Sequence, residues 1–140
     1  MQKVYLVCGV PGSGKTWVCS QLEDKFQYVR NDDHIGGDYP KEVYRAARSS
    51  EKPILADCPF GERHVRKLMA ELGLEVEPLF IVEKPALIKE RYEARDLKPI
   101  PQQHITRAIN MKARAEEWDA VFGTCQEILA HLREVALASR

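Results

Sequence analysis

Val4-Tyr5-Leu6-Val7-Cys8 runs directly into Gly9-Val10-Pro11-Gly12-Ser13-Gly14-Lys15-Thr16, and the reading of this stretch decides the fold. The first part is a short, nearly continuous apolar run stopped by a glycine, the pattern of a strand buried on both faces in a parallel sheet. The second part fits G-x-x-x-x-G-K-[ST], a loop in which glycines let successive backbone N–H groups converge on phosphate oxygens. After it, Trp17, Val18 and Leu22 fall on one helical face, so a helix is expected over 14–25. Strand, glycine loop and helix in that order are the context the phosphate-binding motif requires.

Working outward, strands are expected at Gln27 to Arg30, at Pro53 to Ala56 with Asp57 and Pro59 as the stop, and at Leu79 to Val82. Helices are expected over Glu42 to Arg48, Glu62 to Leu72 with Gly73 as the C-terminal cap, and Pro85 to Arg95 with proline in the first turn. Two more follow, one beginning near Gln102 and one from Gln126 to Ala138. Alternating strands and helices predict an α/β fold: an open, mostly parallel sheet flanked by helices, with a short helical lid. The expected class is a P-loop NTPase of the nucleoside-kinase type, formed as one domain over residues 1–140.

With 140 residues the chain suffices for one domain that buries about two thirds of its unfolded surface. Lys plus Arg number 21 and Asp plus Glu 21, so the formal charge is zero and no global field draws in a polyanion. Any such contact must be local. No signal peptide or membrane anchor is expected in residues 1–10, and Cys8, Cys19, Cys58 and Cys125 form no C-x-x-C pair. The expectation is a cytoplasmic protein with reduced, structural thiols; its oligomeric state is open.

The motif implies nucleoside triphosphate binding by Gly9, Pro11, Gly12, Ser13, Gly14, Lys15 and Thr16. Lys15 would reach the β- and γ-phosphates and Thr16 would offer its hydroxyl to Mg²⁺. GTPases, ATPases and kinases share this loop, so other residues must name the reaction. Phosphoryl transfer to a hydroxyl needs a base at the acceptor, carboxylate help for Mg²⁺ and cations over the moving phosphoryl group. Asn31-Asp32-Asp33-His34 follows the second strand, at the end that faces the ligand crevice in such sheets. One of Asp32 and Asp33 could take the acceptor's proton while the other caps the next helix; His34 could touch substrate or stand in solvent. Asp57, at the end of the third strand, could hold a Mg²⁺-bound water or orient the acceptor. Arg91 and Arg95 are four apart on one helix face and could close over the phosphates, or pair with Glu90 and Glu93. Arg63, Arg66 and Lys67 form a basic group that could meet a polyanion or remain solvated.

From Lys3 to Trp118 these residues together resemble the kinase domain of the phage-type polynucleotide 5′-kinases. Gly9 to Thr16 is similar to that family's Gly-x-Pro-Gly-Ser-Gly-Lys-Ser. Tyr28-Val29-Arg30-Asn31-Asp32-Asp33 resembles its strand ending in Arg-Asp-Asp, which implies Asp32 as general base. Ala56-Asp57 followed by Glu62-Arg63 resembles its Asp-Thr-Asn and Glu-Arg-Arg stretches, implying Asp57 as second acid and Arg63 near the substrate. Lys89 to Arg95 resembles its lid Arg-Asn-x-x-Arg, with Arg95 gripping the phosphates. The chain departs where the family has Tyr-Arg after its Asp-Asp, since His34-Ile35-Gly36-Gly37 stand there, and it carries Tyr92 where the lid usually has Asn. The resemblance implies an ATP- and Mg²⁺-dependent kinase acting on a nucleic-acid hydroxyl, at a 5′ end or on a hydroxymethylated base. Two alternatives stay open: a nucleoside or small-molecule kinase, and a nucleotide-binding switch with slow ATPase activity.

Overall fold

The computed structural model describes residues 1–138, so the last two positions of the expected 1–140 domain lie outside the described residues. β1 (Val4–Cys8) takes the centre of a five-stranded, all-parallel sheet in the order β2-β3-β1-β4-β5. Its neighbours are β3 (Ile54–Cys58), with Val7 opposite Asp57, and β4 (Val76–Ile81), with Val7 opposite Leu79. β2 (Gln27–Val29) and β5 (Val121–Gly123) form the edges. All five residues of β1 are buried, as a strand covered on both faces demands.

Side-chain alternation sends Tyr5 and Val7 to one face, where α1 (Lys15–Ser20) and α6 (Cys125–Ala138) cover them with Val18, Cys19, Ile128 and Leu132. Val4, Leu6 and Cys8 point the other way, into a core shared with α2 (Tyr39–Ser49), α3 (Glu62–Glu71), α4 (Pro85–Asp96) and α5 (Gln102–Glu117). The loop after β1 thus leads to a helix on one face, while those after β3 and β4 lead to the other. A crevice opens at the C-terminal ends of β1 and β3, the place where open α/β sheets bind ligands. Among the described residues no helix is long and apolar enough to cross a membrane.

Several boundaries differ from the sequence expectation. α1 stops at Ser20, although the buried stripe continues through Leu22 and Phe26 in consecutive turns. α2 starts three residues early, at Tyr39, because the Asp38 carboxylate accepts from the Lys41 N–H at 3.3 Å and caps it. Neither Asp32 nor Asp33 caps a helix; both lie in a single 3₁₀ turn, Asn31–His34. β3 does not stop at Ala56 but carries Asp57 and Cys58 as buried strand residues. β4 begins at Val76 and includes Pro78, which pairs only toward β1, since β5 joins from Leu79 onward. The missing proline N–H therefore breaks no bond to β5.

The first residue of α3 ties the two helices on this face together. Glu62 is 1% exposed and accepts from Arg107 at 2.8 Å and from Arg114, both on α5. Burial alone would push its carboxyl up; hydrogen bonding to Arg114 and the charge of Arg107 outweigh that and hold it below the usual range. Its stabilisation is present above the ordinary carboxylate pKa and is lost as the pH falls through the depressed folded value. Glu62→Gln leaves two partly buried guanidiniums uncompensated. It should lower stability at neutral pH by about 3 kcal/mol, or Tm by about 10 °C. Thermal unfolding near pH 7 and near pH 3 checks this, with the difference expected to shrink at about pH 3.

Candidate active site

Gly14, with φ 102°, occupies the N-terminal cap of α1, and Gly12 has φ 92°, both in the left-handed region that favours glycine. At both, a β-carbon would also crowd a neighbouring helix. A Cβ on Gly12 would lie 2.9 Å from the Ile88 carbonyl of α4, and one on Gly14 3.1 Å from the Cβ of Cys125 on α6. The lid helix and the last helix therefore pack directly against the loop's backbone. Arg91 reinforces this by donating to the Ser13 carbonyl at 3.3 Å.

Lys15, 8% exposed, extends along the inside of the loop, its Nζ donating to the Val10 carbonyl at 3.3 Å. Burial pulls its ammonium below the ordinary value, and the charge of Asp57 opposes the shift. Asp57, 5% exposed, accepts from the Asn31 N–H at 2.8 Å. The Tyr39 hydroxyl fixes the strand end: it donates to the Val29 carbonyl at 2.5 Å and accepts from the Asp57 N–H at 3.1 Å. Burial pushes the Asp57 carboxyl above its ordinary value, against the Asn31 bond and the Lys15 charge. A buried carboxylate whose ionised form is under-compensated, bordering a cleft with a threonine hydroxyl, is a hard-oxygen donor set that fits Mg²⁺ accompanied by phosphates and water. Thr16 and Asp57 are the residues that would hold it.

Two spaces meet at the loop. A cleft of about 440 Å³ is lined by Lys15, Thr16, Arg30, Asp32, Asp57, Phe60 and Arg95, among others. A second space, about 210 Å³, is lined by Gly12, Gly14, Lys15, Thr16, Trp17, Arg91 and Arg95, and beyond it Trp17, Arg91, Cys125 and Gln126 border a further 420 Å³. Lys15, Thr16 and Arg95 are common to the first two. Arg95 makes a two-point contact with Asp96, at 2.8 and 3.4 Å, and stacks on Tyr92 rather than pairing with a glutamate. Asp32 stands exposed at the cleft, 3.5 Å from Arg30.

The structure thus brings Lys15, Thr16, Asp32, Asp57 and Arg95 to one cleft. Three other expected site residues fall elsewhere. Asp33 and His34 line a separate polar groove along β2 and α2, because the 3₁₀ turn points successive side chains apart. Arg63 is exposed on α3 and pairs with Glu117 at 3.0 Å, while Arg66 lies over Trp118. Trp17, expected on one helical face with Val18 and Leu22, is instead 45% exposed beside the loop while those two are buried, and sequence reading assigns no role to Phe60, His104 or Arg107. The last could have been found from its seven-residue spacing to Arg114, which puts both guanidiniums on the face of α5 that meets Glu62.

No family model and no curated protein matches the chain. Solved structures do. A gluconokinase from Sinorhizobium meliloti is similar over 97% of this chain and 94% of its own, with 17% identity and a TM-score of 0.66. The tunicamycin resistance protein of Deinococcus radiodurans is similar over 94% and 93%, with 13% identity and a TM-score of 0.75. A protein designed de novo to the P-loop NTPase fold matches over 99% and 92%, at 14% identity and a TM-score of 0.50. The chain has the P-loop NTPase fold. At such identities the likeness is one of fold, and a designed protein with no evolved substrate shares it.

Burial that disfavours the ionised form of Asp57 costs stability in the folded state wherever the unfolded carboxyl would ionise. The cost is absent below the ordinary carboxylate pKa of about 3.9 and grows as the pH rises through the elevated folded value. Asp57→Asn keeps an acceptor for the Asn31 N–H and removes the charge. It should raise Tm by a few degrees at pH 7 in the absence of nucleotide, with the gain vanishing near about pH 3. A lower Tm for this variant at pH 7 would refute the assignment of burial as the dominant influence on Asp57.

Proposed function

We propose that the protein is a kinase that transfers the γ-phosphate of Mg²⁺-bound ATP to a hydroxyl group. The observation that carries this reading is the junction of the two spaces at Lys15, Thr16 and Arg95, with a carboxylate, Asp32, on the far side. A triphosphate threaded along the loop would put its terminal phosphoryl group at that junction, and an acceptor in the 440 Å³ cleft would meet it there.

In this reading the loop amides and Lys15 hold the β- and γ-phosphates, and Arg91 steadies the loop through Ser13. Thr16 and Asp57 would hold Mg²⁺, which when bound would supply neutralisation of charge on the phosphates. Asp32 accepts the acceptor's hydroxyl proton as its oxygen bonds to the γ-phosphorus and the bond to the bridging oxygen of ADP breaks. Arg95 leaves Asp96 to stabilise charge on the phosphoryl group in flight. Asp57, at the floor of the cleft, would orient the acceptor or help to hold Mg²⁺. His34 and Asp33, facing another groove, take no part.

The acceptor we carry forward is a nucleic-acid hydroxyl, at a 5′ end or on a hydroxymethylated base. The location of Arg63 and Arg66, engaged on α3 with Glu117 and Trp118, favours a second reading in which the acceptor is a free nucleoside or another small molecule. Salt separates the two. The KM of a polymeric acceptor should rise steeply with ionic strength as counterion release loses its benefit, whereas that of a neutral small acceptor should be nearly flat.

Asp32→Asn tests the chemistry itself. ATP affinity should stay within about twofold while turnover falls by about 100-fold or more, the usual contribution of a general base. Full turnover in this variant would overturn the role given to Asp32.

A further inference from the structure

Phe60 is an aromatic ring left 43% exposed in a mostly polar cleft that also holds Asp32 and Arg95. Its placement is fixed from behind. The guanidinium of Arg107 lies 5.2 Å from its centroid, and the His104 ring packs against it at 5.2 Å with a tilt of 39°. The backbone that carries it is held equally firmly. Cys58 Sγ donates to the Phe60 carbonyl at 3.0 Å, Arg107 donates to the Pro59 carbonyl at 3.4 Å, and Gly61 takes φ 65° to start α3 at the clamped Glu62.

His104, 7% exposed, wedges between Phe60 and Tyr92 of the lid helix, at 5.2 and 5.5 Å. The ring is therefore backed by α5 and left open toward the cleft.

Resting on the kinase reading for the role of the cleft, we propose that Phe60 is the stacking platform for the acceptor, and that the acceptor is a nucleoside unit whose base lies on this ring while its hydroxyl reaches Asp32. Stacking accepts any base, because every base has a π-face, and so supplies affinity without a basic patch. That matches a chain with no net charge whose α3 arginines are engaged elsewhere. A ring-free sugar acid or polyol would gain little from the same surface. Both a free nucleoside and the end of a strand present the required chemistry.

Binding is measured without turnover, by equilibrium dialysis of labelled deoxynucleosides against protein saturated with Mg²⁺ and a non-hydrolysable ATP analogue, which fills the donor site. Wild type, Phe60→Leu and Phe60→Trp are compared, with gluconate as the ring-free probe and a 5′-hydroxyl tetranucleotide as the polymer. The leucine variant keeps apolar bulk against His104 and Arg107 but loses the aromatic face. It should weaken deoxynucleoside binding by about 5- to 100-fold, leave affinity for the ATP analogue unchanged, and be rescued by tryptophan. Gluconate should bind all three proteins alike. A tetranucleotide that shows the same loss assigns the platform to a strand end; a loss confined to the nucleosides assigns it to the free compound. No deoxynucleoside binding by wild type, or equal binding by the leucine variant, overturns the proposal. Failure of wild type to transfer phosphate to any hydroxyl counts against the kinase reading and leaves the binding result intact.

Discussion

The close approach of α4 and α6 to the bare backbone of the phosphate loop is the contact on which the rest of the structure depends. Gly12 meets the Ile88 carbonyl at a distance that leaves no space for a β-carbon, and Gly14 meets Cys125 at one that a β-carbon would make tight. These contacts set how far the lid helix can lean over the loop, and so set where Arg91 and Arg95 stand. They also join α6, last in sequence, to the first turn of α1. The glycines are therefore required twice, once by their positive φ and once by their neighbours. A loop that only needed to bend could have used asparagine; this one could not.

Around that contact the fold distributes its buried charges unequally. Glu62 is matched by Arg107 and Arg114 and acts as a rivet between α3 and α5. Asp57 and Lys15 are each shifted toward their neutral forms by burial, and each supplies the other with only part of the compensation it lacks. One set of charges is satisfied by its protein partners, whereas the other is compensated by them only in part. That contrast separates structural ion pairs from site residues more sharply than the fold does, because designed proteins share the fold.

Much of this was legible in the residues. The Val4–Thr16 stretch predicts a buried central strand, a phosphate loop and a helix, and the parallel sheet follows from the alternation around it. The parts that escaped have physical causes. β5 is three residues long, with exposed Val121 and Phe122, and carries no periodic pattern to detect. Pro78 and Glu77 disguised the start of β4, since proline is tolerated there only through the offset of β5. Asp57 looked like a terminator because a carboxylate inside a strand violates local preference, and violations of that kind gather at functional sites. The roles within Asn31-Asp32-Asp33-His34 could not be assigned, because a 3₁₀ turn sends adjacent side chains to different grooves and only coordinates show which goes where. Phe60 carried no motif; its meaning lies in what holds it from behind.

The central claim, that this P-loop fold moves a phosphoryl group rather than only binding or cleaving a nucleotide, is met most directly by the fate of the γ-phosphate. Protein incubated with γ-labelled ATP, Mg²⁺ and a panel of 5′-hydroxyl DNA, 5′-hydroxyl RNA, hydroxymethylated-base DNA and free nucleosides should move label onto at least one hydroxyl faster than it releases inorganic phosphate. Label appearing only as inorganic phosphate, slowly and at a rate indifferent to every hydroxyl compound added, would contradict the account and point to a nucleotide-dependent switch.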